Sequence, residues 1–487
     1  MDNIETVLFN RGLWPIVLIS AVCGFGAALA MAPLFYWPLM IIGLGGLYLC
    51  QKNCEKPIYA FLCGWVFGFV YFVTSLNWIG NALLVEGNEY AWAYPLAISG
   101  LPALLAFFPA LACYLASKIS SKIGRKKIIH NLICIILLLS TMEWLRGFVF
   151  TGFPWNLYGY AWGNNLAILQ ILSLIGAYGL TLLTVIWGVF FGALFVSKIM
   201  PRQKFTLAAL LIVSGVSVYS YGAIRLNKAE AMTPAENLSI KIVQPNIDQA
   251  DKWKRDKMMN NYARLLSLSS FSTGGETQKM DGHTTWIIWP ETAISFHQLY
   301  NQYTKSLLQE MLAGYPQDVF IIGGALLRNE ESDTYSNSII ILDKNAEIIA
   351  RYDKSHLVPF GEYIPFQKWI PIETVSGFSG FEAGQGITTL ELPNGKKISP
   401  LICYEILFPG AVVQRDNKPD FIVNVTNDAW YGRSAGPEQH LLKARFRAIE
   451  ENTPVIRAAN TGYSAMIDRY GRYVLKTDLF EENKRDF

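Results

Sequence analysis

The first half of the chain consists of long uncharged apolar stretches that short basic segments interrupt. Residues 12–51 contain no Asp, Glu, Lys or Arg, and Pro33 and Pro38 divide them. A helix needs about 20 apolar residues to cross the hydrocarbon core of a bilayer. This stretch therefore predicts two membrane spans joined by a tight turn near residues 31–37. Further spans are predicted at residues 57–85, 90–117, 128–148, 166–197 and 205–224.

The basic segments predict how these spans are oriented. Lys52 and Lys56 form one cluster, residues 118–127 contain five Lys or Arg, and residues 198–204 contain three. Two predicted spans separate each cluster from the next, so all three clusters can face the cytoplasm, as basic loops usually do. One more span then places the rest of the chain outside the cytoplasm. We interpret residues 1–11 as a lead into the first span and not as a cleaved signal.

The periodicity changes at Leu238, where short β-rich runs replace the apolar stretches. Strands are predicted at residues 239–243, 286–289, 319–322, 338–342, 400–404 and 421–425, and helices at 252–268, 303–312 and 437–450. Alternating strands and helices predict a layered α/β sandwich. Asn394-Gly395 between two strand-like runs indicates a hairpin, and residues 272–282 are predicted to form a loop. The chain thus divides into a membrane domain of about seven spans at residues 1–224 and an α/β domain at residues 225–487.

Composition narrows the classes of function. Charged residues make up 16% of the chain and hydrophobic residues 52%, and most of the charges lie in the second half. A net charge of +3 is too small to indicate a nucleic-acid partner. Six of the seven cysteines lie in the apolar half, and none of the His and Cys residues has zinc-site spacing. With no glycine-rich phosphate loop either, we predict no metal and no cofactor.

Three polar residues follow predicted strands at the points where those strands end: Glu291, Lys354 and Cys403. Sites in α/β folds gather at the carboxyl ends of strands, so these three side chains could converge. A nearby ammonium and a helix start after Cys403 would favour its thiolate. A carboxylate can accept and return the thiol proton, and an ammonium can stabilise an oxyanion. The set suits acyl transfer through a thioester, although a single cysteine at a strand end is more often a core residue.

Three motifs then resemble the signatures of the nitrilase, or carbon–nitrogen hydrolase, superfamily. They are Trp-Pro-Glu-Thr at 289–292, Tyr-Asp-Lys-Ser-His-Leu-Val-Pro-Phe-Gly-Glu-Tyr at 352–363 and Ile-Cys-Tyr-Glu at 402–405. Together with Asn-Asp-Ala-Trp-Tyr-Gly at 427–432 and the multi-span first half, they resemble the apolipoprotein N-acyltransferase family of bacterial inner membranes. The resemblance covers nearly the whole chain and implies an αββα sandwich on the periplasmic side.

The resemblance also implies a ping-pong mechanism. Cys403 would take an acyl chain from a membrane phospholipid and pass it to the N-terminal amine of a diacylglyceryl-cysteine on a lipoprotein. Glu291 would be the general base and Lys354 the partner that stabilises charge. Further residues match family positions around this triad: Glu362 beside Lys354, Tyr404 with its backbone N–H at the oxyanion site, and Glu405, Trp253 and Trp430 near the pocket. Glu362 could equally be a structural ion-pair partner, and the two tryptophans could simply be packing residues.

Other interpretations remain open at this point. A membrane-tethered amidase would use the same triad with water as the acceptor. A transporter or scaffold would carry paired charges along its spans, and Glu143 and Arg146 fit a mutually neutralising pair better than a headgroup site. Residues 360–381, which include Trp369 and Phe378, suggest a mobile lid that touches lipid, although they could also form an ordinary packed loop. Members of the family usually finish with another span, whereas the residues after Glu481 are not apolar, so either that anchor is absent or the chain is truncated.

Overall fold

The computed structural model describes residues 12–86, 88–123, 128–232, 237–271, 283–329, 334–365 and 381–487. The chain divides into two compact units. The first unit runs to Gly80 and resumes over Trp92–Ala229. The second unit comprises Asn81–Ala91 and Glu230–Phe487. The predictions for residues 1–11, 125–127 and 272–282 lie outside the described residues.

The first unit is helical. Its helices are α1 Leu13–Leu29, α2 Trp37–Asn53, α3 Pro57–Ser75, α4 Tyr94–Leu105, α5 Phe107–Ile123, α6 Ile128–Arg146, α7 Leu166–Leu169, α8 Leu172–Ala193 and α9 Pro201–Asn227. Within the described residues, five segments are long and apolar enough to cross a membrane: Pro57–Ser75, Ala91–Lys122, Ile128–Arg146, Leu172–Ala193 and Pro201–Asn227. Leu13–Leu29 is a shorter apolar helix. The predicted multi-span helical region is confirmed, while the number of about seven spans stays a prediction.

Small residues allow the helices of this unit to approach closely. A Cβ atom on Gly192 of α8 would lie 2.4 Å from the carbonyl oxygen of Gly45 on α2. A Cβ atom on Gly45 would in turn lie 2.9 Å from the carbonyl oxygen of Gly188. Packing between apolar helices in a membrane depends on such close contact because lipid offers little hydrophobic driving force. The α2–α8 contact therefore requires glycine on both sides.

The charged pair near the end of α6 is buried inside the helical unit. Glu143 is 2% exposed and Arg146 is 1% exposed. Arg146 donates from Nε to Glu143 Oε1 at 3.1 Å and from Nη2 to Glu143 Oε2 at 2.9 Å. Its Nη1 donates to the carbonyl oxygens of Phe153 and Trp155 at 2.6 and 2.8 Å. These contacts support the interpretation of a neutralising, structural pair.

The second unit contains two six-stranded sheets. The strands are β1 Leu238–Gln244, β2 Thr284–Ser295, β3 Asp318–Asn329, β4 Thr334–Leu342, β5 Ile348–Asp353, β6 Leu390–Glu391, β7 Lys397–Ile402, β8 Phe421–Thr426, β9 Val455–Ala459, β10 Ala465–Ile467, β11 Tyr473–Lys476 and β12 Asn483–Asp486. The first sheet has the order β12-β1-β2-β3-β4-β5, and the second β11-β10-β9-β8-β7-β6. Strands β1, β2 and β3 are parallel, as are β7, β8 and β9.

The two sheets face each other across one apolar core. Trp286 and Ile288 of β2 share this core with Ile398, Val423 and Met466 of the second sheet. The helices of this unit are α10 Arg255–Ser269, α11 Phe296–Tyr300, α12 Gln302–Ala313 and α13 Gly436–Glu450. Helices α10 and α12 pack on the outer face of the first sheet, and α13 packs on the outer face of the second. The layers are therefore α-β-β-α, which confirms the predicted fold class.

The short predicted strands and helices correspond to observed ones, with three differences. The helix predicted at residues 252–268 begins only at Arg255, and two strands at the site end elsewhere than predicted. The strand predicted at residues 286–289 continues to Ser295, because β2 regains its pairing with β3 after an irregularity. The strand predicted at 400–404 ends at Ile402, and Cys403 already belongs to a turn. The Asn394-Gly395 hairpin joins β6 and β7, with Gly395 at a φ of 75°.

Candidate active site

Cys403 lies directly after strand β7, at the start of a short 3-10 turn over Cys403–Leu407. Its φ is 50°, a left-handed conformation that a residue with a Cβ atom rarely adopts. The carbonyl oxygen of Cys403 lies 3.2 Å from Nε2 of His440. The predicted start of a helix is thus a turn of five residues. The chain therefore turns sharply at Cys403.

Glu291 also lies at a strained corner. The register of β2 against β3 shifts between Trp289 and Ile294, and Thr292 has a φ of 47°. Gly324 on β3 makes the corner possible, because a Cβ atom there would lie 2.5 Å from Cα of Glu291. The Glu291 carboxylate accepts from the Asn427 N–H at Oε2, at 2.9 Å, and from Asn337 Nδ2 at Oε1, at 2.8 Å. Both oxygens of this carboxylate are therefore fixed.

Lys354 follows strand β5 and lies between two carboxylates. Its Nζ lies 2.8 Å from Oε1 of Glu362 and 3.6 Å from Oε1 of Glu291. Asn337 bridges the same two oxygens, since its Nδ2 donates to Glu362 Oε1 at 3.0 Å as well as to Glu291. Lys354 is 1% exposed, and Glu291 and Glu362 are each 7% exposed. The structure therefore brings Glu291, Lys354 and Glu362 into one buried cluster.

The electrostatics of this cluster keep the thiol protonated at rest. Burial raises the pKa of Cys403 to about 12, with the Glu291 carboxylate also raising it and the Lys354 ammonium lowering it. Burial lowers the pKa of Lys354, but the Glu362 and Glu291 carboxylates outweigh it, so that this pKa lies above its usual range. The ammonium lowers this pKa, as expected, but desolvation outweighs it, so the net shift favours the thiol. A base must remove the thiol proton during the reaction.

Glu405 holds the segment that carries Lys354 against the turn that carries Cys403. Its Oε2 accepts from the Ile402 N–H at 2.8 Å. Its Oε1 accepts from the Tyr352 hydroxyl at 2.7 Å and from the Ser355 and His356 N–H groups at 2.8 and 3.1 Å. Glu405 is 4% exposed, and burial raises its pKa. Glu405, which was predicted to lie near the pocket, thus links two parts of the site through buried hydrogen bonds.

The remaining predicted residues surround this cluster. Tyr404 is 5% exposed, and its ring lies against the rings of His356 and Phe408. Trp253 and Trp430 are half-buried, and Trp430 lies in the 3-10 turn Asp428–Tyr431. Whether either tryptophan contacts substrate stays a prediction. The lid residues Trp369 and Phe378 lie outside the described residues.

Sequence reasoning missed a second buried ammonium. Lys252 Nζ donates to the Glu291 carbonyl oxygen at 3.0 Å and to Thr292 Oγ1 at 2.5 Å. It therefore holds the strained corner from which Glu291 projects. Burial lowers the pKa of Lys252 to about 8, although Glu291 and Cys403 raise it. No local sequence signal marked Lys252 or Asn337, because their partners lie 39 and 46 residues away along the chain.

Glu291 and Lys354 both act electrostatically on Cys403: the carboxylate raises the thiol pKa and the ammonium lowers it. Side chains of these two types can exchange a proton and stabilise negative charge. Among the residues that the structure describes, no group of three His, Cys, Asp or Glu side chains could hold a metal ion.

Models of known protein families match both halves of the chain. The model of the apolipoprotein N-acyltransferase N-terminal domain matches residues 23–190, and the carbon-nitrogen hydrolase model matches residues 240–483. The chain is 36% identical to the apolipoprotein N-acyltransferase of Rhodopseudomonas palustris, over 97% of this chain and 89% of that protein. It is 38% identical to that of Agrobacterium fabrum, over 95% and 87%.

One solved structure similar to this chain is a CN-hydrolase superfamily protein from Xanthomonas campestris. It is 21% identical, with a TM-score of 0.37, and the match covers 52% of this chain and 90% of that one. The assignment of this chain to a family rests on the sequence matches, which extend over almost the full length of both this chain and its relatives. The resemblance inferred from the motifs is confirmed, and the chain belongs to the apolipoprotein N-acyltransferase family, whose members are membrane-bound enzymes of the carbon–nitrogen hydrolase superfamily.

Proposed function

We propose that this protein takes an acyl chain from a phospholipid onto Cys403 and transfers it to the N-terminal amine of diacylglyceryl-cysteine on an apolipoprotein. The observation that carries the proposal is the buried contact between Lys354 and Glu291. Lys354 Nζ lies 3.6 Å from Glu291 Oε1, and both groups shift the pKa of the Cys403 thiol. The catalytic residues are Glu291, Lys354 and Cys403.

The first half-reaction forms the thioester. A thiol with a pKa of about 12 is ionised in only about one molecule in 10⁵ at neutral pH, so Glu291 takes the proton as sulfur attacks. The negative charge that develops on the former carbonyl oxygen of the ester is stabilised by the Lys354 ammonium and by the Tyr404 N–H. The C–O bond to glycerol then breaks, and the proton on Glu291 passes to the leaving oxygen. The products are a lysophospholipid and an acyl thioester on Cys403.

The second half-reaction transfers the acyl chain to the amine. The N-terminal amine attacks the thioester carbonyl, and Glu291 takes one of its protons. The C–S bond breaks as the oxyanion collapses. The sulfur recovers its proton from Glu291, which restores the thiol and the carboxylate. The same base thus serves both half-reactions, because each one moves a single proton onto Glu291 and off it again.

A membrane-tethered amidase is the second candidate, since water could replace the amine at the thioester. The helical unit with five apolar candidate spans favours lipid substrates, because a soluble amide would not require it. A transporter is not favoured, because the buried Arg146 guanidinium is already bound by Glu143 and by two backbone carbonyls.

A two-step assay separates transfer from hydrolysis. The purified protein is mixed with phospholipid, excess lipid is removed, and a diacylated lipopeptide or buffer alone is added. Transfer predicts stoichiometric lysophospholipid in the first step and triacylated lipopeptide in the second, with little free fatty acid. Free fatty acid released at the same rate with and without the lipopeptide would show that water is the acceptor, as in a hydrolase, and would contradict acyl transfer.

We further propose that the second unit lies on the periplasmic side of the bacterial inner membrane. The positions of Lys52, Lys56, Lys118 and Lys122 support this, because basic loops stay in the cytoplasm. A membrane-impermeant thiol reagent applied to intact spheroplasts tests it with a cysteine placed at the exposed residue Tyr300, on a background in which Cys403 is serine. Labelling only after the membrane is permeabilised would reverse the proposed orientation.

A further inference from the structure

A fully buried polar network lies behind the peptide group that follows the nucleophile. His440 on α13 places Nε2 at 3.2 Å from the Cys403 carbonyl oxygen and Nδ1 at 2.8 Å from Asp428 Oδ1. His440 and Asp428 are both 0% exposed. Neither residue takes part in the proton transfers between Cys403 and Glu291 that are proposed above. Burying such groups is costly unless they are hydrogen-bonded, so this network requires an explanation.

Asp428 is held in turn by residues from neighbouring strands. Arg457 of β9 places Nη2 at 2.8 Å from Asp428 Oδ2, and the hydroxyl of Thr426 donates to Oδ1 at 3.0 Å. Although burial raises the pKa of Asp428, the Arg457 and His440 side chains lower it to about 2. Asp428 is therefore an anion that fixes the orientation of the imidazole ring.

The partners of His440 determine which ring nitrogen carries a proton. The oxygen facing Nε2 is a carbonyl, which can only accept, so Nε2 must donate. Asp428 at Nδ1 favours a second proton there, whereas burial and the Arg457 guanidinium lower the pKa of His440. In the neutral form Nδ1 can accept from Arg457 Nη2, which lies 3.1 Å away. Both forms donate from Nε2 to the Cys403 carbonyl.

That carbonyl belongs to the same peptide group as the N–H of Tyr404. A hydrogen bond to the oxygen of an amide polarises the group and makes its N–H a stronger donor. The bond also fixes the peptide plane at a residue whose φ is 50°, a conformation that costs free energy and persists only where its surroundings hold it. His440 is thus placed to set both the direction and the strength of the Tyr404 N–H.

We propose that His440, oriented by Asp428, is a positioning residue that fixes and polarises the Cys403–Tyr404 peptide as a donor to the oxyanion. It acts through this peptide and not on the thiol or the substrate. The inference rests on the proposed function, because the oxyanion forms only if Cys403 attacks an acyl group. Loss of a direct oxyanion donor commonly costs 10²–10³-fold in rate, so weakening one should cost about tenfold.

Two isosteres of histidine separate this role from a structural one. The amide nitrogen of Gln reaches the position of Nε2, whereas that of Asn reaches the position of Nδ1. His440→Gln should therefore keep the bond to the Cys403 carbonyl, and His440→Asn should keep the bond to Asp428 alone. The exposed His297 supplies the matched control, His297→Asn.

The readout is the infrared carbonyl stretch of the thioester, formed from phospholipid that carries ¹³C at the acyl carbonyl. We expect His440→Asn to shift this band to higher frequency and to slow thioester formation about tenfold, while His440→Gln and His297→Asn stay within about twofold of wild type. Equal effects in the two His440 variants, or none, would overturn the inference while leaving the proposed function intact.

Two further outcomes are also decisive. If neither His440 variant shows a cooperative thermal unfolding transition, His440 maintains the fold and the positioning role is wrong. If the wild-type protein forms no thioester at Cys403, the proposed function fails and this inference fails with it. The wild-type adduct is therefore measured first, which keeps the two failures distinguishable.

Discussion

Lys354 Nζ lies 2.8 Å from Oε1 of Glu362, closer than it lies to the carboxylate of Glu291. The ammonium is therefore shared between two buried carboxylates, and Glu362 carries much of the charge that keeps it in place. Asn337 joins the two carboxylates from the other side. Lys354 can stabilise an oxyanion only while this arrangement holds it, because a buried ammonium without a counter-charge would lose its proton.

Glu362→Gln should slow lysophospholipid release about 100-fold while the protein stays folded. The substitution removes one of the two negative charges beside Lys354 and allows the ammonium to shift. The control is Glu347→Gln, which removes the carboxylate of an exposed ion pair with Lys305 at 2.7 Å. Rates within about twofold of wild type for both variants would show that Glu362 is dispensable.

The reactivity of Cys403 should respond to its two charged neighbours with opposite signs. Glu291 raises the thiol pKa and Lys354 lowers it. At a fixed pH between about 7 and 9.5, the thiolate fraction, and with it alkylation of the Cys403 peptide by iodoacetamide, should rise in Glu291→Gln and fall in Lys354→Met. In the wild type the rate should increase about tenfold per pH unit throughout this range, because the pKa of about 12 lies above it.

Mass spectrometry of the Cys403 peptide measures this rate without interference from the cysteines of the helical unit. Glu291→Gln should therefore alkylate faster although its acyl transfer is slowed. Slower alkylation in Glu291→Gln than in the wild type would show that the carboxylate does not oppose the thiolate.

Removal of the Glu405 carboxylate should destabilise the second unit. Glu405→Ala leaves the buried N–H groups of Ile402 and Ser355 and the Tyr352 hydroxyl without this acceptor. We expect a loss of about 3 kcal/mol in the free energy of unfolding, since each unsatisfied buried group costs about 1–3 kcal/mol. Denaturant unfolding in detergent measures it against Glu347→Ala, and equal midpoints for the two variants would refute the cross-link.

The sign of the pH dependence follows from the raised pKa of Glu405. A carboxyl group whose pKa is higher in the folded state than in the unfolded state binds protons more tightly when folded. Its contribution to stability is therefore present at low pH and is lost as pH rises through the folded-state pKa. Glu405→Gln should remove this dependence, and an unchanged pH profile of the unfolding midpoint would contradict it.

Removing one partner of the buried Glu143–Arg146 pair should destabilise the helical unit more than removing both partners. Arg146→Met leaves the Glu143 carboxylate buried and frees the carbonyls of Phe153 and Trp155, for an expected loss of about 3–5 kcal/mol. The double variant Glu143→Leu/Arg146→Met should recover part of that loss, because no uncompensated charge remains. Thermal unfolding in detergent tests this, and a double variant less stable than Arg146→Met would contradict it.

The sequence predicted most of the fold because its patterns are local. Uncharged stretches long enough for a bilayer and short β-rich runs such as residues 319–322 are visible without tertiary information. Three members of the candidate site were accessible because Glu291, Lys354 and Cys403 each lie in a recognisable motif. The family resemblance and the position of these residues at strand ends predicted that they converge. The structure places Glu291 and Lys354 in contact.

The rest of the site depends on tertiary contacts that no local pattern encodes. Asn337 lies within a strand and Lys252 in a polar stretch, and each gains its role from a partner tens of residues away. The net shift of the Cys403 thiol pKa could not be predicted for the same reason. The burial of Cys403, which outweighs the neighbouring ammonium, is a property of the assembled core and not of the motif around it.

The central claim, that Cys403 carries the acyl chain with Glu291 as its base, is tested most directly by peptide mass spectrometry after mixing the protein with phospholipid. We predict an acyl mass on the peptide containing Cys403 in the wild type and in Glu347→Gln. Formation of this adduct should be lost in Cys403→Ser and slowed at least about 100-fold in Glu291→Gln. An acyl group on another residue, or undiminished acylation in Glu291→Gln, would contradict the mechanism.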